Sequence, residues 1–259
     1  MPRSARLKSS TGVYHIINRG ANRQEIFHDD DDKIKFLETL KRYKIRTAMK
    51  VYAWCLMDNH VHLLVKEGNE EISLVMKRIG VSYASYYNWK YHTNGHLFQD
   101  RFKSENVETQ EYLITVTRYI HQNPVKAGIV TGPEKWKWSS CLGYYGENVY
   151  PTDLLECNYI LRMFSPNCSI AQSRFKEFNE LQNTDKCLED YDDIKRRLTD
   201  EEARIEIKKC LASYEVPQVK SLPSEQRNQI LRKVKNIEGL SLRQAARILG
   251  VSPNLLFKV

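Results

Sequence analysis

Apolar and polar positions alternate with two different periods in the first half of the chain. Val13-Tyr14-His15-Ile16-Ile17 is a short run of β-branched and aromatic residues, closed by Asn18-Arg19-Gly20, and predicts a strand. Asp29 to Asp32 then supply an N-cap and first-turn acids for a helix over 33–43. Its apolar residues Ile34, Leu37 and Leu40 recur at helical spacing. Val51-Tyr52-Ala53-Trp54-Cys55-Leu56 predicts a second strand, Asp58-Asn59 a turn, and His60-Val61-His62-Leu63-Leu64-Val65 a third strand. A helix follows over 72–89, with Gly95 ending that region. A basic segment, Arg101 to Val107, reads as a fourth strand, and a further helix is expected over 110–122. Pro124 is expected to stop that helix, because the residue before a proline is pushed out of helical conformation. The order β-α-β-β-α-β-α specifies the α+β class, with a ferredoxin-like split βαβ sheet carrying packed helices. Trp136, Trp138, Tyr144 and Tyr145 are expected to pack a tail onto it.

Beyond residue 150 the pattern becomes helical. The expected domains are 1–150 for the sheet, 151–220 for a helical connector and 221–259 for a small C-terminal unit. The connector includes an acidic stretch over 185–206 with Asp190, Asp192, Asp193, Glu201 and Glu202. The C-terminal unit reads as a helix over 222–234, a second over 242–249 with Ser241 as N-cap, a turn at Gly250-Val251-Ser252, and a third helix from Pro253. Small Ala246 and Gly250 with apolar Val251 and Leu256 fit a helix-turn-helix-like DNA-binding unit, with a plain three-helix packing unit as the alternative. Seven Lys/Arg against two acids over 221–259 favour DNA as its partner, with Arg243 and Arg247 as candidate contacts.

Composition narrows the class. The 259 residues are 41% hydrophobic and 28% charged, with a formal net charge of +8. That balance suits a globular protein with a polyanionic partner. No run approaches the roughly 20 apolar residues of a membrane span. The basic start, Met1 to Arg6, leads into no apolar segment, so a cytoplasmic location is expected and no membrane partner. Six cysteines without a Cys-x-x-Cys pair read as reduced thiols.

Two patterns carry chemistry. In a strand, residues two apart share a face, so His60 and His62 project together and offer two nitrogens to a divalent ion. On the last helix of the sheet domain, Tyr119 and Asn123 are four apart and share a face. If that helix crosses the histidine face, Asn123 can complete the ion's ligands and Tyr119 can present a phenol oxygen beside it. Tyr112, seven residues earlier on the same helical face, is the competing tyrosine. His15, His28, His92, His96 and His121 read as structural or surface histidines.

Four segments together resemble the REP-associated tyrosine transposases, members of the single-tyrosine HUH transposases. They are Val13-Tyr14-His15-Ile16-Ile17-Asn18-Arg19-Gly20, Met57-Asp58-Asn59-His60-Val61-His62-Leu63-Leu64-Val65, Leu97-Phe98-Gln99-Asp100-Arg101-Phe102-Lys103-Ser104 and Arg118-Tyr119-Ile120-His121-Gln122-Asn123-Pro124-Val125-Lys126-Ala127-Gly128. The resemblance covers about residues 1–150 and implies the HUH endonuclease fold. It implies His60, His62 and Asn123 as metal ligands, Tyr119 as nucleophile, and Mg²⁺ or Mn²⁺ as the ion. It also implies single-stranded DNA with hairpin-forming palindromes as substrate and a covalent 5′-phosphotyrosine intermediate. Arg19, Asn22 and Arg23, expected in the loop after the first strand, together with Arg101 and Lys103, become candidate phosphate contacts, and Phe98 or Phe102 a candidate base stacker. The expected activity is nicking and rejoining of single-stranded DNA. A DNA-binding regulator whose catalysis has lapsed and a housekeeping nuclease for palindromic repeats are the alternatives. Monomer and homodimer are both compatible with the sequence.

Overall fold

A computed structural model describes residues 7–188, 198, 200–211, 214–237 and 239–258. The chain divides into two compact units, Met1–Leu188 and Glu189–Val259. Among the described residues no helix is long and apolar enough to cross a membrane. All six cysteines are free thiols.

The first unit contains the expected α+β sheet. Strands β1 (Val13–Arg19), β2 (Lys50–Met57), β3 (His60–Lys66) and β4 (Lys103–Asn106) lie in the order β2-β3-β1-β4. Every neighbouring pair is antiparallel, which is the ferredoxin-like arrangement. Helix α1 (Asp30–Thr47) joins β1 to β2, and α2 (Ile72–Tyr91) joins β3 to β4. The Asp29 side chain caps α1 by accepting from the Asp32 amide, as the acidic run requires.

The two sheet faces have separate cores because side chains alternate along each strand. Tyr14, Ile16, Trp54, Leu56, Val61, Leu63 and Val65 pack with Phe36, Leu37 and Leu40 of α1 and Val75, Ile79 and Tyr83 of α2. Val13, Ala53, Cys55, Met57 and Leu64 face the other way and pack with Leu113, Val116, Tyr119 and Ile120 of α3 (Gln110–Lys126). A bulge in β2 between Val51 and Ala53 brings Tyr52 and Ala53 to the same core. The outer edge of β2 is covered: the Leu56 amide donates to the Trp138 carbonyl, and the Trp136 indole N–H donates to the Leu56 carbonyl.

In the first turn of α1, Asp32 ties α1 to α2. Its carboxylate accepts from the His28 amide, the Lys90 ammonium and the Tyr91 hydroxyl. Burial alone would raise its pKa, but these donors outweigh burial and hold it below the ordinary carboxylate value. A lowered folded-state pKa contributes stability above the unfolded value of about 4, and that contribution is lost as pH falls through the folded value. Asp32→Asn is therefore expected to destabilise the protein at pH 7. The deficit should shrink towards zero in urea melts run at progressively more acidic pH. A deficit unchanged with pH would exclude the ionised carboxylate as its source.

Two expectations are corrected. Helix α3 does not stop before Pro124 but runs through it to Lys126. A proline in the last turn removes one N–H, and the groups beyond it are satisfied: Ala127 N–H donates to Asn123 O, and Ile129 N–H to Pro124 O. Gly128, at φ +71°, then turns the chain out of the helix. The fourth strand spans only Lys103–Asn106, because Phe102 turns into the α1/α2 core and Arg101 lies outside the ladder.

After α3 come two short helical turns, α4 (Cys141–Tyr144) and α5 (Asn158–Leu161), then α6 (Cys168–Glu180). The sheet unit extends through α6 to Leu188 and does not end at 150, because Ala171 and Phe175 fill the same core as Tyr119. Phe175 stacks on Tyr144 with ring centroids 4.4 Å apart. Phe175→Ala is expected to cost about 3–5 kcal/mol, the usual toll for a fully buried ring. Urea denaturation checks this; a loss under about 1 kcal/mol would mean α6 is not part of the core.

The second unit holds α7 (Asp200–Cys210), α8 (Ser224–Lys235), α9 (Leu242–Leu249) and α10 (Pro253–Lys258). Ala203, Ile207, Leu231, Val234, Ala245, Ala246, Leu249 and Leu256 form its core. Ser241 caps α9, and Gly250 at φ +65° makes the turn towards α10. Asp190, Asp192 and Asp193 of the expected acidic connector lie outside the described residues.

Candidate active site

The histidine pair sits on the sheet face covered by α3. The β1–β3 register pairs Ile17 with His62 and Arg19 with His60, so His15, Ile17, Arg19, His60 and His62 all face α3. The rings of His60 and His62 are 4.9 Å apart between centroids. His62 is 3% exposed and His60 half-buried. Across from them, Tyr119 on α3 is 6% exposed. Its ring meets His62 edge-on at 6.0 Å and His15 edge-on at 5.8 Å. The Lys126 ammonium lies 4.3 Å from the centroid of the Tyr119 ring.

Helix α3 is held by contacts on its other sides. His121 is fully buried between Asn179 of α6 and Ser140, at 3.2 and 2.9 Å. Gln122 donates to the Asn179 carbonyl at 2.6 Å, and Arg118 makes a paired contact to Asp185 with both distances 2.8 Å. These contacts fix the rotation of α3 and so aim Tyr119. Asn123 is one turn further along the same face, half-buried, and its amide N–H donates to the Tyr119 carbonyl at 2.9 Å.

The donor chemistry fits a divalent cation. Nδ1 of His60 is turned to the Asn59 side-chain oxygen at 2.6 Å, so the nitrogen it could offer an ion is Nε2. Nδ1 of His62 is engaged by Nε2 of His15 at 3.2 Å, so Nε2 is again the nitrogen that could meet an ion. Burial, then the neighbouring His60, His15 and Arg19, hold the His62 pKa well below its ordinary value. His62 is therefore neutral, the form a metal ligand needs. Asn123 uses its amide nitrogen on the helix, leaving the carbonyl oxygen as its donor for an ion. Among the described residues no three His, Cys, Asp or Glu side chains converge on a metal position.

Tyr112 is differently placed. Its hydroxyl donates to the Glu105 carboxylate, and burial, followed by that carboxylate, raises its pKa far above the ordinary phenol value. Such a phenol resists losing its proton, and its oxygen is committed to β4.

The candidate DNA contacts do not gather at one place. Arg19 is not in the loop; it is the last residue of β1, 7% exposed and opposite His60. Asn22 and Arg23 follow in a 3-10 turn at φ 52° and 62°. Lys103 is exposed on β4 beside Ile17, and Arg101 is exposed just before it. Phe98 is half-buried against Tyr83, and Phe102 is buried in the core. In the second unit Arg243 is exposed, while Arg247 pairs with Asp200 at 2.6 Å.

One site residue escaped the sequence reading. His15 was grouped with structural histidines, yet it is fully buried between His62 and Tyr119. Burial lowers its pKa to about 3. Its odd-numbered parity with Ile17 and Arg19 was visible in the sequence, but the β1–β3 register that brings it to His62 was not.

The sequence model of a family described as "Transposase IS200 like" matches residues 8–123, from just before β1 to Asn123. No curated protein matches the chain. Among solved structures, a REP-associated tyrosine transposase bound to a REP hairpin is 18% identical, over 59% of this chain and 90% of that one, with a TM-score of 0.48. A crystal structure described as a transposase from Deinococcus radiodurans R1 is 19% identical, over 47% of this chain and 97% of that one, with a TM-score of 0.33.

Proposed function

We propose that this protein, whose residues 8–123 match the model of the IS200-like transposase family, is a metal-dependent single-strand DNA endonuclease and strand transferase using Tyr119 as nucleophile. The observation that carries this reading is the meeting of Tyr119 with His62 and His15 across the sheet–helix interface, at 6.0 and 5.8 Å. A phenol set against a neutral histidine pair, inside a transposase family segment, has the parts for phosphoryl transfer to tyrosine.

His60, His62 and Asn123 hold the cation, Mg²⁺ or Mn²⁺. Asn123 takes the third position because it lies one turn beyond Tyr119 on the same face of α3. When bound, the ion withdraws charge from the scissile phosphate and makes phosphorus easier to attack. The Tyr119 oxygen forms a bond to that phosphorus and gives up its proton. The P–O3′ bond breaks, and the departing 3′ oxygen takes a proton and leaves as a hydroxyl. The 5′-phosphate stays esterified to Tyr119, so the bond energy is kept. Attack by a 3′-hydroxyl on the same phosphorus reverses the step and joins a strand without ATP.

Arg19, Asn22, Arg23, Arg101 and Lys103 track the strand's phosphates, and Phe98 supplies the base-stacking surface. Palindromic DNA folded as a hairpin is the substrate that presents a single strand beside a duplex. The helix-turn-helix-like second unit adds a duplex contact through Arg243, with Arg247 beside it on α9. Such a protein works where the chromosome is exposed, in the cytoplasm.

The test is to incubate the protein with single-stranded hairpin oligonucleotides and Mn²⁺, then run a denaturing gel. A labelled band that resists denaturant, and is absent with EDTA, is expected. Strand cleavage with no covalent band would reject the tyrosine route.

A further inference from the structure

We propose that His15 is a positioning residue for the cation site: its Nε2 accepts the Nδ1–H of His62 and so directs the Nε2 lone pair of His62 to the ion. This rests on the reading of His60 and His62 as ligands.

The argument begins with register. Strands β1 and β3 are antiparallel with Ile17 opposite His62, so His15 is the diagonal neighbour of His62 on the α3 face. The two rings lie 5.5 Å apart and within 25° of parallel, and His15 Nε2 is 3.2 Å from His62 Nδ1. A neutral imidazole has one donor and one acceptor nitrogen. If Nε2 of His62 gives its lone pair to a cation, Nδ1 must carry the hydrogen. Buried at that depth, the N–H needs an acceptor, and His15 Nε2 is in place. The opposite arrangement, with His15 donating, would put the His62 hydrogen on Nε2 and block coordination.

The consequence for His15 itself is visible. Accepting on Nε2 places its own hydrogen on Nδ1, and that buried atom has no hydrogen-bond partner among the described residues. An unsatisfied buried donor costs folding stability. For packing alone, an apolar ring at residue 15 would serve the core better. Holding His62 gives the polar ring a reason to be there. It also explains why this third imidazole is not a ligand, since its Nε2 is turned to His62.

Mn²⁺ binding to the full-length protein, measured by titration calorimetry, tests the proposal with His62→Ala as the control that removes the site. His15→Phe keeps the ring against Tyr119; it removes the unpartnered Nδ1 of His15 but orphans Nδ1 of His62, so it should melt close to the parent temperature. It should bind Mn²⁺ about 10–100-fold more weakly, the usual effect of losing a partner behind a metal ligand. His15→Gln, whose carbonyl can accept from His62, should recover most of the affinity; a merely structural role predicts no such rescue. Parent-like affinity in His15→Phe would overturn the inference alone. No Mn²⁺ binding by the parent would overturn the ligand reading beneath it. Should the phenylalanine variant not fold, nitrogen NMR of the Mg²⁺-loaded parent decides instead: hydrogen on His62 Nδ1 with a scalar coupling across the bond to His15 Nε2 supports the proposal, hydrogen on Nδ1 without that coupling overturns it, and hydrogen on Nε2 overturns the ligand reading beneath it.

Discussion

Tyr119→Phe is expected to abolish the covalent protein–DNA species while leaving the protein folded and able to bind its hairpin. The substitution removes one oxygen and nothing else. The phenylalanine ring can keep the edge contacts to His62 and His15 and the Lys126 ammonium over its face. Helix α3 remains held by the contacts of His121 to Ser140, Gln122 to Asn179 and Arg118 to Asp185. The loss of strand cleavage should be on the order of 10⁴-fold or more, the scale on which deletion of a covalent nucleophile acts. Hairpin affinity, measured at fixed salt because phosphate contacts are salt-sensitive, should change by less than about threefold. The paired variant, Tyr112→Phe, should retain the adduct, since that hydroxyl serves as a donor to Glu105. An adduct that survives Tyr119→Phe and vanishes with Tyr112→Phe would transfer the nucleophile to Tyr112 and end the present assignment.

How far the sequence predicts this site depends on which interactions are local. His60 and His62 were readable as a pair because strand alternation fixes their common face without knowledge of any partner. Tyr119 and Asn123 were readable as a pair for the same reason in helical terms. The strand and helix order gave the ferredoxin-like sheet, which the β2-β3-β1-β4 pairing bears out. His15 was not readable, because its meaning depends on which residue of β3 it meets. Nor was the passage of α3 through Pro124, since the cost of a missing N–H depends on what satisfies the neighbouring carbonyls and amides. The reach of the first unit to Leu188 was hidden too. The apolar spacing of α6 shows that it has a buried face but not that this face covers Tyr144 and His121.

His60→Ala and His62→Ala are each expected to remove metal-dependent cleavage, but they should differ in their effect on folding. Both take a nitrogen from a small ligand set, and two ligands that act as a unit give non-additive losses. The double variant should therefore be little worse than either single one, each falling roughly 10²–10⁴-fold by analogy with other residues that act together at one site. Stability separates them. His60 is half-buried at the start of β3 and bonds to its neighbour Asn59, so its removal should be mild. His62 is 3% exposed and bonds to His15. Deleting it opens a cavity under Tyr119 and leaves both His15 nitrogens without a partner, a cost of about 2–4 kcal/mol on the scales for cavities and unsatisfied buried groups. Cleavage rate against Mn²⁺ concentration and urea melts on the same preparations separate the two effects. Parent-rate cleavage in the double variant, or cleavage undiminished by EDTA, would remove the metal from the mechanism and leave the histidine pair with a purely structural role.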